Sequence, residues 1–281
     1  MKVADFKNIN YDKDDETGIV TVAINRPEIK NALAVMVLYE LYRAVDAIET
    51  DPKAKAMILT GAKSPEDEDP ANEAFSSGGY FNLADLEALD EETKSQIDLT
   101  DIAQKKLCLK LWQLDKPVIA AINGLAIGGG FTIPLACADL IYISEHAWVR
   151  LPFISLGLIP ELASSYLLPR LVGFQRAKEI FFFGEKLPAS TLNDMGLVNE
   201  VVAHEELLAH AKQMALKLIP PLGAGLAARL AKKALHGPLI EAVTRALDAE
   251  NEGLNQTIAS ADFWEAIAAR KEKRDPVFKG E

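Results

Sequence analysis

Cysteine is scarce in this chain: only Cys108 and Cys137 occur among 281 residues, both in apolar surroundings. Two thiols without metal-ligand spacing argue against a disulfide framework or a metal site, and two buried thiols in a reducing compartment are expected. Histidine is sparse as well. His146, His204, His210 and His236 are scattered and accompany no Ser or Cys nucleophile motif, which favours packing or surface roles over catalysis. Positive charge is in deficit, with 30 basic residues against 41 acidic ones and a net charge of −11. Such a surface repels polyanions, so nucleic acid is disfavoured as the main partner, although a local basic patch still suits one small phosphorylated ligand. The opening MKVADFKNINYDKDDE lacks the apolar core of a signal peptide, and the closing KGE is not a peroxisomal address. A cytoplasmic protein is expected.

Long apolar runs are also few. Residues 117–138 carry no charge and are long enough to cross a bilayer. They include Asn123, Gly124, Gly128, Gly129, Gly130 and two prolines, however, and Asp139 follows at once. A buried strand, a glycine-rich turn and a buried helix fit that composition better than a membrane span.

What is present has an ordinary globular balance, 49% hydrophobic and 25% charged, in a chain long enough for one sizeable core with or without an appendage. Residues 19–24, 56–60, 117–122, 140–143 and 198–202 read as strands from their short apolar, β-branched runs. Apolar residues at Leu38, Leu41, Val45 and Ile48 recur at helical spacing, ending before Asp51-Pro52. Further helices are expected over 128–138, 161–170 and 175–183, and residues 62–73 read as an acidic, solvated loop. Strands alternating with helices imply an α/β core over residues 1–204. Residues 205–281 change texture: rich in Ala, Leu, Glu, Lys and Arg, they read as successive amphipathic helices.

Two glycine clusters interrupt the core. Phe75-Ser76-Ser77-Gly78-Gly79-Tyr80-Phe81 follows a strand and a loop. Asn123-Gly124-Leu125-Ala126-Ile127-Gly128-Gly129-Gly130-Phe131 matches neither a dinucleotide fingerprint nor a phosphate loop, because Ile133 breaks the first and no Gly-Lys-Ser/Thr follows for the second. Either cluster alone reads as a plain turn. Turns of this kind also leave backbone N–H groups unpaired, and a helix N-terminus favours negative charge on a ligand.

Taken in order, NRPEIKNAL (25–33), LTGA (59–62), AFSSGG (74–79), KPVIAAINGLAIGGGF (116–131), ADLIYIS (138–144), LPFISLGLIPE (151–161) and EKRDPVFKG (272–280) resemble the crotonase, or enoyl-CoA hydratase/isomerase, superfamily. The resemblance implies a crotonase-like spiral of ββα units with a helical C-terminal trimerisation region, and a homotrimer or dimer of trimers. It implies an acyl-CoA thioester substrate, with coenzyme A part of that substrate, no separate cofactor and no metal. It places the two oxyanion N–H groups at Gly79 and Gly129. It places the substrate- and CoA-binding residues at Lys30, Ala32, Ser77, Gly78, Tyr80, Phe81, Gly128 and Phe153, with Phe263 and Lys279 directed to a neighbouring subunit's CoA.

The family's hydratases use two glutamates, and those positions fall here on Thr132 or Ile133 and on Phe153, none of them a carboxylate. Glu161 follows instead, at a position resembling the single glutamate of peroxisomal-type Δ3,Δ2-enoyl-CoA isomerases. A structural reading of Glu161 stands beside this one, since Glu just after Pro suits a first helical turn. Leu162-Ala163 replaces smaller residues usual after that glutamate, and Tyr80 stands where an aspartate is common. The expected activity is enoyl-CoA isomerisation. Hydration or another lyase or hydrolase reaction with Glu161 alone is the alternative, as is an inactive CoA-binding scaffold.

Overall fold

The computed structural model describes residues 1–66, 69–80, 91–96 and 101–281, with the backbone alone at 92, 93 and 96. Its strands are β1 (Ile9–Lys13), β2 (Ile19–Ile24), β3 (Ala56–Gly61), β4 (Ala74–Ser76), β5 (Val118–Ile122), β6 (Leu125–Ile127), β7 (Leu140–Ser144), β8 (Trp148–Arg150), β9 (Leu187–Pro188) and β10 (Glu200–Val202). The helices are α1 (Val35–Thr50), α2 (Glu91–Gln96), α3 (Cys108–Gln113), α4 (Gly129–Cys137), α5 (Ser164–Val172), α6 (Phe174–Phe183), α7 (Ala189–Asp194), α8 (Leu207–Leu216), α9 (Gly225–His236), α10 (Ile240–Ile258) and α11 (Ala261–Glu272). A π-helical segment, Ile102–Leu107, leads into α3.

The strands form two sheets, ordered β1-β2-β3-β5-β7-β10 and β4-β6-β8-β9. The chain alternates between them: β3, β5 and β7 enter the first, and β4, β6 and β8 the second. Each coil therefore gives one strand to each sheet, which is the ββα spiral. Within each sheet these strands pair in parallel. Gly61 and Gly124 make the corners. A methyl on Gly61 would lie 2.3 Å from the Ala74 carbonyl, and one on Gly124 2.1 Å from that of Glu73.

β3 and β5 are buried on both faces, as their unbroken apolar runs require. Val20, Met57, Leu59, Val118 and Ala120 face a large core shared with α1, α3, α4 and part of α10. Ile19, Ile58, Ile119 and Tyr142 face the other way and are covered by Leu207, Ala211 and Ala215 of α8. Cys108 and Cys137 are free and buried, as expected, with sulfurs 3.9 Å apart.

Two expectations need correction. Residues 123–128 are more than a turn, because Leu125–Ile127 forms β6 and pairs with both β4 and β8. The helix expected over 161–170 starts at Ser164, since Leu162 and Ala163 both take φ of 58°, a left-handed conformation that a right-handed helix cannot include. Helix α9 is amphipathic, as expected, but in the single chain its leucines Leu226, Leu230 and Leu235 are exposed, while Lys232 is buried against Asp139. Among the described residues, no helix is long and apolar enough to cross a membrane.

Candidate active site

β4 and β6 run parallel, with Ala74 opposite Leu125 and Ser76 opposite Ala126. Both glycine turns therefore leave the second sheet at the same edge, the carboxyl ends of adjacent strands, where α/β proteins bind ligands. The turns press backbone against backbone. Gly78 has φ of 84°, and a methyl there would lie 2.4 Å from the Ile127 carbonyl. One on Gly130 would lie 2.4 Å from the Ser76 carbonyl, so neither position admits a side chain.

Gly79 forms a parallel bridge with Leu33. The Leu33 N–H donates to the Gly78 carbonyl at 2.8 Å, and the Tyr80 N–H donates to the Leu33 carbonyl at 3.3 Å. In a parallel ladder the middle residue's own N–H points to the opposite side, so that of Gly79 is turned away from Leu33. Gly129 opens α4. The N–H groups of Phe131 and Thr132 both return to the Gly128 carbonyl, whereas that of Gly129 belongs to the first turn and lies outside the helical ladder.

Glu161 meets this edge. A methyl built on Gly129 would stand 3.1 Å from Glu161 Oε1 and 2.9 Å from Leu33 Cδ1. Gln104, on the π-helical segment, donates from Nε2 to Glu161 Oε2 at 3.4 Å and accepts the Leu162 N–H at 2.8 Å. Glu250 of α10 accepts the Ala163 N–H at 2.7 Å, the Ser165 N–H at 2.9 Å and the Ser165 hydroxyl. These two residues hold consecutive left-handed residues, each of which costs on the order of 1–2 kcal/mol. Glu161 keeps part of its surface open while its carboxyl lies within the protein. Burial first, and the Glu250 charge second, push the Glu161 carboxyl up to about 7, with the nearby Gly129 amide opposing the shift. Burial also raises Glu250, against the Ser165 and Ala163 donors.

Most of the remaining candidates adjoin the two turns: the Ser77 N–H donates to the Lys30 carbonyl at 2.9 Å, and Gly78 packs against Gly128. Ala32 is buried, Ser77 donates from its hydroxyl to the Ile29 carbonyl at 3.1 Å, and Tyr80 is half-buried against the core. Lys30 is spoken for in part, its Nζ donating to the Asn72 carbonyl at 2.7 Å. Gly128 has φ of 51°, and its missing methyl would lie 3.8 Å from the Phe153 ring. Phe81 lies outside the described residues. Phe263 is 2% exposed and belongs to its own chain's core, so its ring is not presented outward; Lys279 is exposed, its N–H donating to Asp262 at 2.7 Å. Thr132, Ile133 and Phe153 are buried, and none carries a carboxylate.

Sequence reasoning missed Asn31, Gln104 and Glu250. Asn31, with φ of 52°, donates to the Ala62 and Ala74 carbonyls at 2.9 and 2.7 Å and accepts the Arg26 N–H at 2.9 Å, locking the loop before α1 to β4. Its residue type was the available signal, since Asn tolerates the left-handed region.

Behind β4, His204 lies 3.2 Å from Glu73 Oε1 through Nε2 and 3.0 Å from the Ser144 hydroxyl through Nδ1. Glu73 also accepts from Asn123 at 2.8 Å and pairs with Lys63. The Ser–His–Glu order is that of a hydrolase triad, but Ser144 is fully buried, so the network braces the start of β4. Among the described residues, no three His, Cys, Asp or Glu side chains are grouped to hold a metal.

The model of the enoyl-CoA hydratase/isomerase family matches residues 14–281. A short-chain-enoyl-CoA hydratase of Clostridium acetobutylicum is 33% identical over 96% of this chain and 97% of its own length. A 1,2-epoxyphenylacetyl-CoA isomerase of Escherichia coli is 30% identical over 94% and 96%. The crystal structure of an enoyl-CoA hydratase/isomerase from Pseudoalteromonas atlantica T6c superposes with a TM-score of 0.82 at 30% identity, covering 97% of this chain and all of that one.

Proposed function

The chain belongs to the enoyl-CoA hydratase/isomerase family, and from that premise we propose that it converts a 3-enoyl-CoA to the 2-enoyl isomer, with Glu161 as the single proton carrier. The observation that carries this reading is the position of Glu161. Among the described residues its carboxylate stands beside Gly129, while Thr132, Ile133 and Phe153, at the positions where the resemblance puts the hydratase glutamates, carry none.

In this mechanism the thioester oxygen accepts the Gly79 and Gly129 N–H groups. Ionised Glu161 takes a proton from C2, and the electrons move onto the thioester oxygen as an enolate, which the two preorganised donors stabilise. Protonated Glu161 then delivers the same proton to C4, and the double bond closes between C2 and C3. One carboxylate suffices, because it is base first and acid second. A carboxyl pushed up to about 7 suits both tasks. Glu250 is a poor second acid, because both its oxygens already accept hydrogen bonds.

The relative named short-chain-enoyl-CoA hydratase favours a second reading, hydration of a 2-enoyl-CoA by Glu161 alone. Turnover of 3-enoyl-CoA against 2-enoyl-CoA by purified wild type and Glu161→Gln tests both readings. Isomerisation lost in the variant supports the proposal. Full isomerase turnover in Glu161→Gln refutes Glu161 as the carrier, and hydration as the faster wild-type reaction favours the second reading. The exposed leucines of α9 suit the homotrimer or dimer of trimers that the family resemblance implies, to be checked by sedimentation.

A further inference from the structure

Glu250 is 2% exposed, lies 89 residues beyond Glu161 and contacts no part of the oxyanion turns directly in its hydrogen bonding. Its position on α10 is nonetheless tied to the proton carrier. All of its side-chain hydrogen bonds go to Ala163 and Ser165, the end of the left-handed turn and the first turn of α5. A buried carboxylate at a helix start satisfies orphan N–H groups and complements the helix dipole. An amide could do the first of these only in part, since its nitrogen accepts nothing.

Gln104 completes the clamp on the other side of the turn, holding the Leu162 N–H. Consecutive N–H groups of Leu162 and Ala163 are thus fixed by two side chains from separate elements, the π-helical segment and α10. Backbone immediately before them ends in Glu161, so its χ angles start from a fixed origin.

Resting on the reading of Glu161 as proton carrier, we propose that Glu250 is its positioning residue: from α10 it pins the turn after Glu161 and brings a second, buried carboxyl group to that turn. The charge acts as well as the clamp, because like charges in a poorly solvated region oppose each other's ionisation. Among the described residues, other titratable groups near the pair are few. Cys108 of α3 feels Glu250 but is pushed up mainly by Cys137 and by burial, so it stays a neutral thiol. Asp101, beside Asn251 and the Lys105 N–H, and the Lys105–Asp248 ion pair are the charged groups where the π-helical segment meets α10.

The test is a pH titration of the full chain with 13C-labelled glutamate carboxyls, the Glu161 signal being assigned by its absence in Glu161→Gln. In Glu250→Gln the Glu161 midpoint falls below that of wild type, the acidic limb of the pH–rate profile moves the same way, and kcat drops between about tenfold and a hundredfold. Glu250→Asp keeps the charge and stays near the wild-type midpoint while kcat still falls. An unmoved Glu161 midpoint in Glu250→Gln overturns the proposal, as does an equal shift in Glu250→Asp. Should Glu250→Gln fail to fold, the wild type decides: each of the two carboxyl signals inflects at the other's midpoint, whereas independent single-step curves overturn the proposal. Full turnover in Glu161→Gln would refute the reading of Glu161 and leave this titration coupling intact, so the two failures are distinguishable.

Discussion

Gln104 grips the Glu161 turn at two points with one amide, donating to the Glu161 carboxylate at 3.4 Å and accepting the Leu162 N–H at 2.8 Å. The amide orientation is fixed by that pair of roles. Gln104→Leu removes both, leaves the buried Leu162 N–H without its acceptor, and is expected to cost about 1–3 kcal/mol in urea denaturation. Isomerase kcat should fall about tenfold with KM little changed, because what is lost is orientation of the carboxyl and not thioester binding.

Glu161→Gln should lower isomerisation by about a thousandfold, the range expected of a positioned acid–base group. In the wild type the rate should rise with pH as Glu161 ionises, with a limb near 7. A flat profile between pH 5 and 8 would contradict a base of that description.

The same shift makes a stability statement. Unfolded, Glu161 ionises near its ordinary 4.5; folded, it does so only near 7. Between these values the unfolded chain holds fewer protons, so wild-type stability falls as pH rises, and above 7 the penalty is complete. Glu161→Gln avoids it. The variant should be the more stable protein at pH 8, by on the order of 3 kcal/mol at most, and should lose most of that advantage toward pH 5. Denaturant midpoints at the two pH values check the sign.

Gly130→Ala places a methyl 2.4 Å from the Ser76 carbonyl, against backbone that cannot turn aside. A loss of about 3 kcal/mol is expected, with the thermal midpoint and turnover falling together. Gly237→Ala is the control. Its φ is −53° and nothing lies within 4 Å, so it should be neutral or stabilise by about 0.5 kcal/mol.

Much of the scaffold was legible because both faces of β3 and β5 are buried, which forces unbroken apolar runs on the sequence. The periodic face of α1 was readable for a similar reason. β6 was hidden: three residues between glycine turns have no period, and its partner β4 lies about fifty residues earlier. The start of α5 was misplaced because nothing in the residue types Leu162 and Ala163 announces a left-handed backbone, which tertiary clamps impose. Within the candidate site, the two glycine turns stood out by composition. Glu250 did not. Asp248, Glu250 and Glu252 look alike in a helical stretch, and only the docking of α10 decides which one is buried.

The alternating spiral carries a consequence for how this architecture diversifies. Gly79 and Gly129 occupy matching places in successive coils, each three residues beyond the opposed pair Ser76 and Ala126, so their relation is set by backbone. The third coil repeats the pattern through β8, which pairs with β6, but the segment after it spends its turn on Leu151-Pro152-Phe153 and then on Glu161. Under the proposed mechanism two coils furnish the grip on the thioester, and the third is the interchangeable tool head, where a change of a few residues redirects the proton.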